Sequence, residues 1–497
     1  MTPPMSFFHL RRVSFILFLL TLLAAPTLAQ NEGEEEKARQ EEVEKVEEMR
    51  HTEDISGKAV RVWAEPTKKK GWLFDYGGTF LPAYSNSNNK DRSDTIVDSS
   101  DHKWEYEANV YGLLVSVDRM SKFYFRSNAK VTSDRKINNP SPGTFRQRFD
   151  GPAFELFYWE KKLENKKAKR TQTFTFGRQF VKVGRGISYG LKADGFIWNI
   201  KGKIFEFQCF AQRQNPGDNN LDPSSPSNGA TKRRFYAGEL KGSYKKQTAD
   251  VYYLLNRDRN TEKADATGQK YQLNSRYLGL GLEGPIPGVD KLKYWSEFIV
   301  ERGRTYGKLV GGVSPQIQMN AEALDAGLQY LWGGDIAPTL NYEYAYGSGD
   351  ADRLNNVKSS KNGSTKGDDS AFRAFGGLSM GNALAPALAN IRIQKVGGSV
   401  KPFGRSPNTI LSDMTTQLAF YNYRTDAQSG ATSDAKIVMG PNSKSDKIGQ
   451  EFDGQVSWKP LTDASIQLKL GQFRPGPAYG SYRTKENYIK LKWTFDL

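Results

Sequence analysis

Basic residues recur on alternate positions of short amphipathic segments. Lys122, Arg126 and Lys130 lie on the parity opposite Phe123 and Phe125, and Lys293 with Glu297 lies opposite Tyr294 and Phe298. Arg392 lies opposite Ile391 and Ile393, while Lys469, Lys490 and Lys492 alternate with apolar residues in two further segments. Successive side chains of an extended chain point to opposite faces, so each pattern gives one apolar and one basic face. Such a basic face can hold anions reversibly: arginine grips a carboxylate bidentately, and lysine acts as a mobile point charge. Glu297 and Glu301 on the same parity would keep that grip weak.

Other chemistry is sparse. Cys209 is the single cysteine, which excludes disulfide frameworks, cysteine-rich zinc sites and iron–sulfur clusters. The three histidines are His9, His51 and His102, so a Ser–His triad on strands has no base and an enzyme is not expected. Gly347 to Asp352 reads GSGDAD and could set Asp350 and Asp352 on a calcium ion, although acidic, glycine-rich loops are common without metal. Gly279 and Gly281 sit inside an alternating segment with no helix after them, so a nucleotide site is not expected. No cofactor is implied.

The elements that carry these residues follow from the rest of the chain. Residues 1–29 have the n-region, apolar run and small-residue cleavage site of a secretory signal peptide. Residues 30–71 form an acidic arm and linker, in which 31–54 hold 11 acids and 4 bases and could meet a periplasmic partner. Removing the leader's +2 and the arm's −7 from the total of +16 leaves +21 on residues 55–497. No later stretch is long and apolar enough for a spanning helix.

Residues 72–497 instead alternate with a period of two, and short turns alternate with long polar loops, including loops expected at 85–103 and 134–151. That rhythm predicts an all-β fold: a single transmembrane antiparallel β-barrel of eighteen strands, with a long external loop at 348–388 able to fold into the pore. Aromatic clusters such as Trp72–Tyr76 and Tyr342, Tyr344 and Tyr346 read as membrane girdles. In such a barrel the apolar parity meets lipid and the basic parity lines the lumen, giving positive walls that favour anions. Arg178 shares its parity with Phe174 and Phe176, so it reaches the lumen only if a bulge at Gly177 turns it. Arg185 is expected in an external loop or at the mouth.

Several strings resemble those of the alginate export family: GRQ at Gly177 to Gln179, YGSGD at Tyr346 to Asp350, FRAFGGLSMGNA at Phe372 to Ala383 and FRPGPAYG at Phe473 to Gly480. The resemblance implies an eighteen-stranded outer-membrane barrel, monomeric, whose basic lumen passes an acidic polysaccharide. It also supports a lumenal Arg178. The acidic arm is not part of the family's pattern. The alternative function is a porin for small anions such as phosphate or organic acids, which would be trimeric; nucleic acid is not an expected partner.

Overall fold

The computed structural model describes residues 71–89, 99–138, 141–215, 232–259, 264–289, 291–353, 363–365, 367–428, 430–432, 445–479 and 484–497. The leader and all but one residue of the acidic arm lie outside the described residues. The strands are β1 (Trp72–Asn88), β2 (Ser99–Ser116), β3 (Ser121–Asn138), β4 (Ser141–Asn165), β5 (Arg170–Val183), β6 (Tyr189–Lys201), β7 (Phe205–Arg213), β8 (Arg233–Tyr244) and β9 (Gln247–Asp258). They continue with β10 (Asn274–Pro285), β11 (Leu292–Tyr306), β12 (Gln316–Leu331), β13 (Thr339–Gly347), β14 (Ile391–Val400), β15 (Thr415–Arg424), β16 (Lys447–Leu461), β17 (Ala464–Pro475) and β18 (Glu486–Asp496). Each strand pairs with its sequence neighbours, and β1 also pairs antiparallel with β18, so the sheet closes as the alternation predicts. Closure leaves no unpaired edge, which is what a sheet in hydrocarbon requires.

Alternation explains which face turns outward. On β1, Trp72, Phe74 and Tyr76 are 53–63% exposed, whereas Asp75 and Thr79 on the opposite parity are buried. The register carries these faces around the barrel: Thr79 stands opposite Asn109, and Asn109 opposite Asn128. The polar parity therefore lies inside and the aromatic parity outside.

The strands extend further at the long-loop end than the hydrophobic pattern suggests. Where a loop over 134–151 is expected, β3 runs to Asn138 and β4 starts at Ser141, with Asp134 opposite Arg146 and Lys130 opposite Asp150. Backbone ladder bonds hold these polar strands together, and above the membrane they need no apolar face, so hydrophobicity does not reveal them. The opposite end has tight connections, such as 245–246 and 462–463, and one longer one carrying the helical turn α1 (Thr409–Ser412). By the usual asymmetry of such barrels the tight end is periplasmic.

The described core does not lie between layers but inside the barrel. The described residues of the connection from β13 to β14 enter the lumen, where Phe372, Phe375 and Leu384 pack among wall residues Tyr189, Phe235, Tyr277, Tyr423 and Phe473.

Candidate functional site in the lumen

Two inward segments meet within the lumen. Residues 184–188 follow β5, and the FRAFGGLSMGNA string docks on them: Phe375 N–H donates to the Ser188 carbonyl at 3.0 Å, and Gly376 N–H to that of Ile187 at 3.1 Å. A side chain at Gly376 would put its Cβ 1.8 Å from the Gly186 carbonyl oxygen, so the close approach requires glycine.

Buried wall carboxylates anchor the crossing. Glu301 on β11 accepts the Arg373 N–H at 2.8 Å and the Tyr277 hydroxyl at 3.0 Å. Glu451 on β16 accepts the N–H groups of Asn382 and Ala383 at 2.7 Å and of Leu384 at 3.0 Å, with the Tyr423 hydroxyl at 3.1 Å. Within the loop, Asp369 bonds Arg353 at 2.7 Å and Arg373 at 2.5 Å. Burial alone would raise the Asp369 pKa, but the two guanidinium groups hold it below its ordinary value.

Arg185 is drawn deep inside, not left at the mouth. Its N–H donates to Glu297 at 2.9 Å, its Nε to Asp325 at 2.8 Å, and its guanidinium lies 5.0 Å from the Trp295 ring centroid. Burial opposes its charge, yet Asp325, Glu343 and Glu297 together raise its pKa. Its side chain keeps 29% of its surface accessible. Glu297 and Glu301 are themselves fully buried, so they fasten the loops and do not line an open slide for a polymer.

The inner wall divides into two arcs. From β8 to β13 it carries Glu239, Asp250, Glu297, Asp325 and Glu343, with Lys241 3.4 Å from Glu239 and, from β14, Lys395 2.8 Å from Glu343. Lys293 stands on this arc's inner parity near the periplasmic end, opposite Gln329. The other arc, from β17 through β1 to β3, is lysine-rich. Lys469 stands directly opposite Lys490, and Lys492 opposite Gln467. Lys103 and Lys130 approach Glu105 at 2.8 and 2.5 Å, and Lys122 approaches Glu160 at 3.3 Å. Arg126 is buried, its Nε 2.8 Å from Glu155, the extra residue where the β3–β4 register shifts. The positive walls expected from sequence are thus confined to one arc.

Two expected lumenal arginines are corrected. Arg392 lies on the outer parity with Tyr346 and Val396, paired with Asp426 at 2.5 Å, while Ile391 and Ile393 face in. Those isoleucines pack against the inward loop, so apolar parity there does not mean lipid. Arg178 also faces outward, opposite Phe157 and Asp194, with its Nε 2.7 Å from Asp194. Gly177 has φ +121°, yet the register passes through it unshifted, so the expected bulge is absent.

Asp350 and Asp352 come together, with the Asp352 N–H donating to Asp350 at 3.2 Å, but Ser364 and Thr365 occupy the Asp352 carboxylate. Among the described residues no group of three or more His, Cys, Asp or Glu could hold a metal. Sequence reasoning also missed Glu451 as an anchor. Its partners are backbone amides of a distant loop, and the only advance signal is the small, glycine-rich FRAFGGLSMGNA string itself.

A closed eighteen-stranded barrel with a loop-narrowed lumen defines an outer-membrane channel. Two solved Pseudomonas aeruginosa structures share the fold: OccK7 (OpdD), 13% identical with a TM-score of 0.51, covering 85% of this chain and 99% of that one, and OccK5 (OpdH), 11% identical with a TM-score of 0.52, covering 85% and 98%. No curated protein matches the chain. The sequence model for alginate export matches residues 198–488, and the chain belongs to the alginate export family. Its place is the bacterial outer membrane.

Proposed function

We infer that the channel passes anionic solutes, and that its substrate is an acidic polysaccharide of the uronate type. The observation carrying this reading is the facing pair Lys469 and Lys490, flanked on the same inner arc by Lys492, Lys130 and Lys103. Among the described residues Lys490 makes no salt bridge, which leaves a charge for a passing carboxylate. Lysines spaced along one arc offer successive weak sites, and conduction needs binding weak enough to release. Membership of the alginate export family supports a polymer, and the barrel would then act as a monomer.

A second reading, a porin for small anions, draws on the meeting of the inward segments at Ser188 and Phe375, which narrows the lumen. The deciding experiment is the reversal potential of the purified barrel in a planar bilayer under a salt gradient, with oligouronates added to one side. Anion selectivity with block supports the polymer reading. Anion selectivity without block favours the small-anion porin, and cation selectivity overturns both.

A further inference from the structure

Four bases crowd the outer face at the external ends of adjacent strands. Arg392, Arg424, Lys447 and Arg474 come from β14, β15, β16 and β17, and the register sets Arg392 opposite Arg424 and Arg424 opposite Lys447. Asp426 pairs with Arg392 and Asp446 with Arg424. Lys447 and Arg474 are exposed and have no carboxylate partner among the described residues. Along a strand rising about 3.3 Å per residue and tilted about 40°, Arg474 stands roughly 25 Å above Ala464, the height of the apolar band of such barrels. These bases therefore sit at headgroup depth on the external side.

Directly below Arg474 the barrel wall is recessed. A groove of about 420 Å³ has an apolar floor of Leu418, Phe452, Gly454, Leu470 and Ile489. The recess exists because Gly454 has no side chain: a Cβ there would meet only Leu418 at 3.8 Å and Leu470 at 4.0 Å. Its upper end is polar. Arg474 Nε and Nη2 both donate to Gln472 Oε1 at 3.1 Å, and Gln472 Nε2 donates to Asn487 at 3.0 Å.

We propose that this groove and its basic rim bind one phosphorylated glycolipid of the outer leaflet, an acyl chain lying over Gly454 and a phosphate between Arg474 and Lys447. The match is one of charge and polarity along a single line: apolar floor, amide-rich shoulder, then cations that meet no carboxylate among the described residues, at the depth where sugar phosphates lie. Arginine presents a fork to phosphate and lysine a point charge. A neutral lipid would bring no anion to either cation.

Native mass spectrometry of the purified full-length barrel tests this, using bis-phosphorylated lipid A, its dephosphorylated form and phosphatidylglycerol as probes. The wild type should retain one lipid A, in preference to the dephosphorylated form by about tenfold. The double variant Lys447→Gln/Arg474→Gln should lose that preference. Gly454→Leu should lose the retained lipid while single-channel conductance stays at the wild-type value, which shows a folded barrel. Equal retention of the dephosphorylated form or of phosphatidylglycerol would overturn the proposal, as would variants that behave like the wild type.

Discussion

The Glu451 carboxylate on β16 accepts the backbone N–H of Asn382 on the inward loop at 2.7 Å. The same carboxylate takes the next two amides, so one wall side chain holds three consecutive loop residues. Glu451→Ala would leave these amides unpaired, at a cost on the order of 1–3 kcal/mol for each donor that finds no water. The expected outcome is a released loop, read as larger and noisier single-channel conductance with an intact barrel by circular dichroism. Unchanged conductance would show that the loop is held elsewhere.

Reversing Lys469 and Lys490 together to glutamate should shift the reversal potential toward cation preference without unfolding the barrel. Both face the lumen and neither supports the outer surface. If selectivity stays at the wild-type value, the lysine arc is not the source of anion preference.

Arg178→Gln and Arg392→Gln supply the opposite expectation. Both arginines face outward and pair with aspartates, so ion selectivity should stay as in the wild type. A changed reversal potential in either variant would contradict the outward assignment.

Gly376→Val should push the FRAFGGLSMGNA string away from residues 184–188, because the added Cβ collides with a backbone carbonyl and not with a movable side chain. Overpacking of this kind costs roughly 1–3 kcal/mol. Faster amide exchange at Phe375 and Gly377 is the readout, and wild-type protection there would refute the contact.

Burial, with the Asp352 carboxyl beside it, pushes Asp350 up to about 7. A carboxyl whose folded pKa lies above its unfolded value stabilises the folded loop fully below the unfolded pKa, and that contribution is lost as pH rises through about 7. Hydrogen exchange around residues 348–353, corrected for intrinsic rates, should show more protection near about pH 5.5 than about pH 8.5. Asp350→Asn should flatten the difference.

Strand number and closure were legible because a membrane strand must show one apolar and one polar face, and that requirement writes itself into alternate residues. For Arg178, parity alone set it with Phe174 and Phe176, where it lies; the lumenal placement that the resemblance supported, which needed a bulge at Gly177, moved it wrongly. Arg392 failed for the opposite reason. Parity assumed that apolar residues meet lipid, whereas Ile391 and Ile393 meet a loop that enters the lumen from its own external end. Contacts such as those of Glu451 with Asn382 and Arg185 with Asp325 join residues 69 and 140 positions apart, and no local pattern encodes such distances.

The seam between β1 and β18 sets the timetable of assembly. Its register joins Ser85 to Lys490 and Thr79 to Asp496, partners separated by roughly the whole body of the chain. Every other strand pair is local, so hairpins can add one after another, but this last zipper waits for β18 to be synthesised. Until then β1 offers an open edge to any other strand in the periplasm, and contacts so distant in sequence form slowly. Shielding of that edge is therefore a demand made by the topology itself, and a lesion in β18 would leave β1 without its closing partner whatever the quality of the lumen.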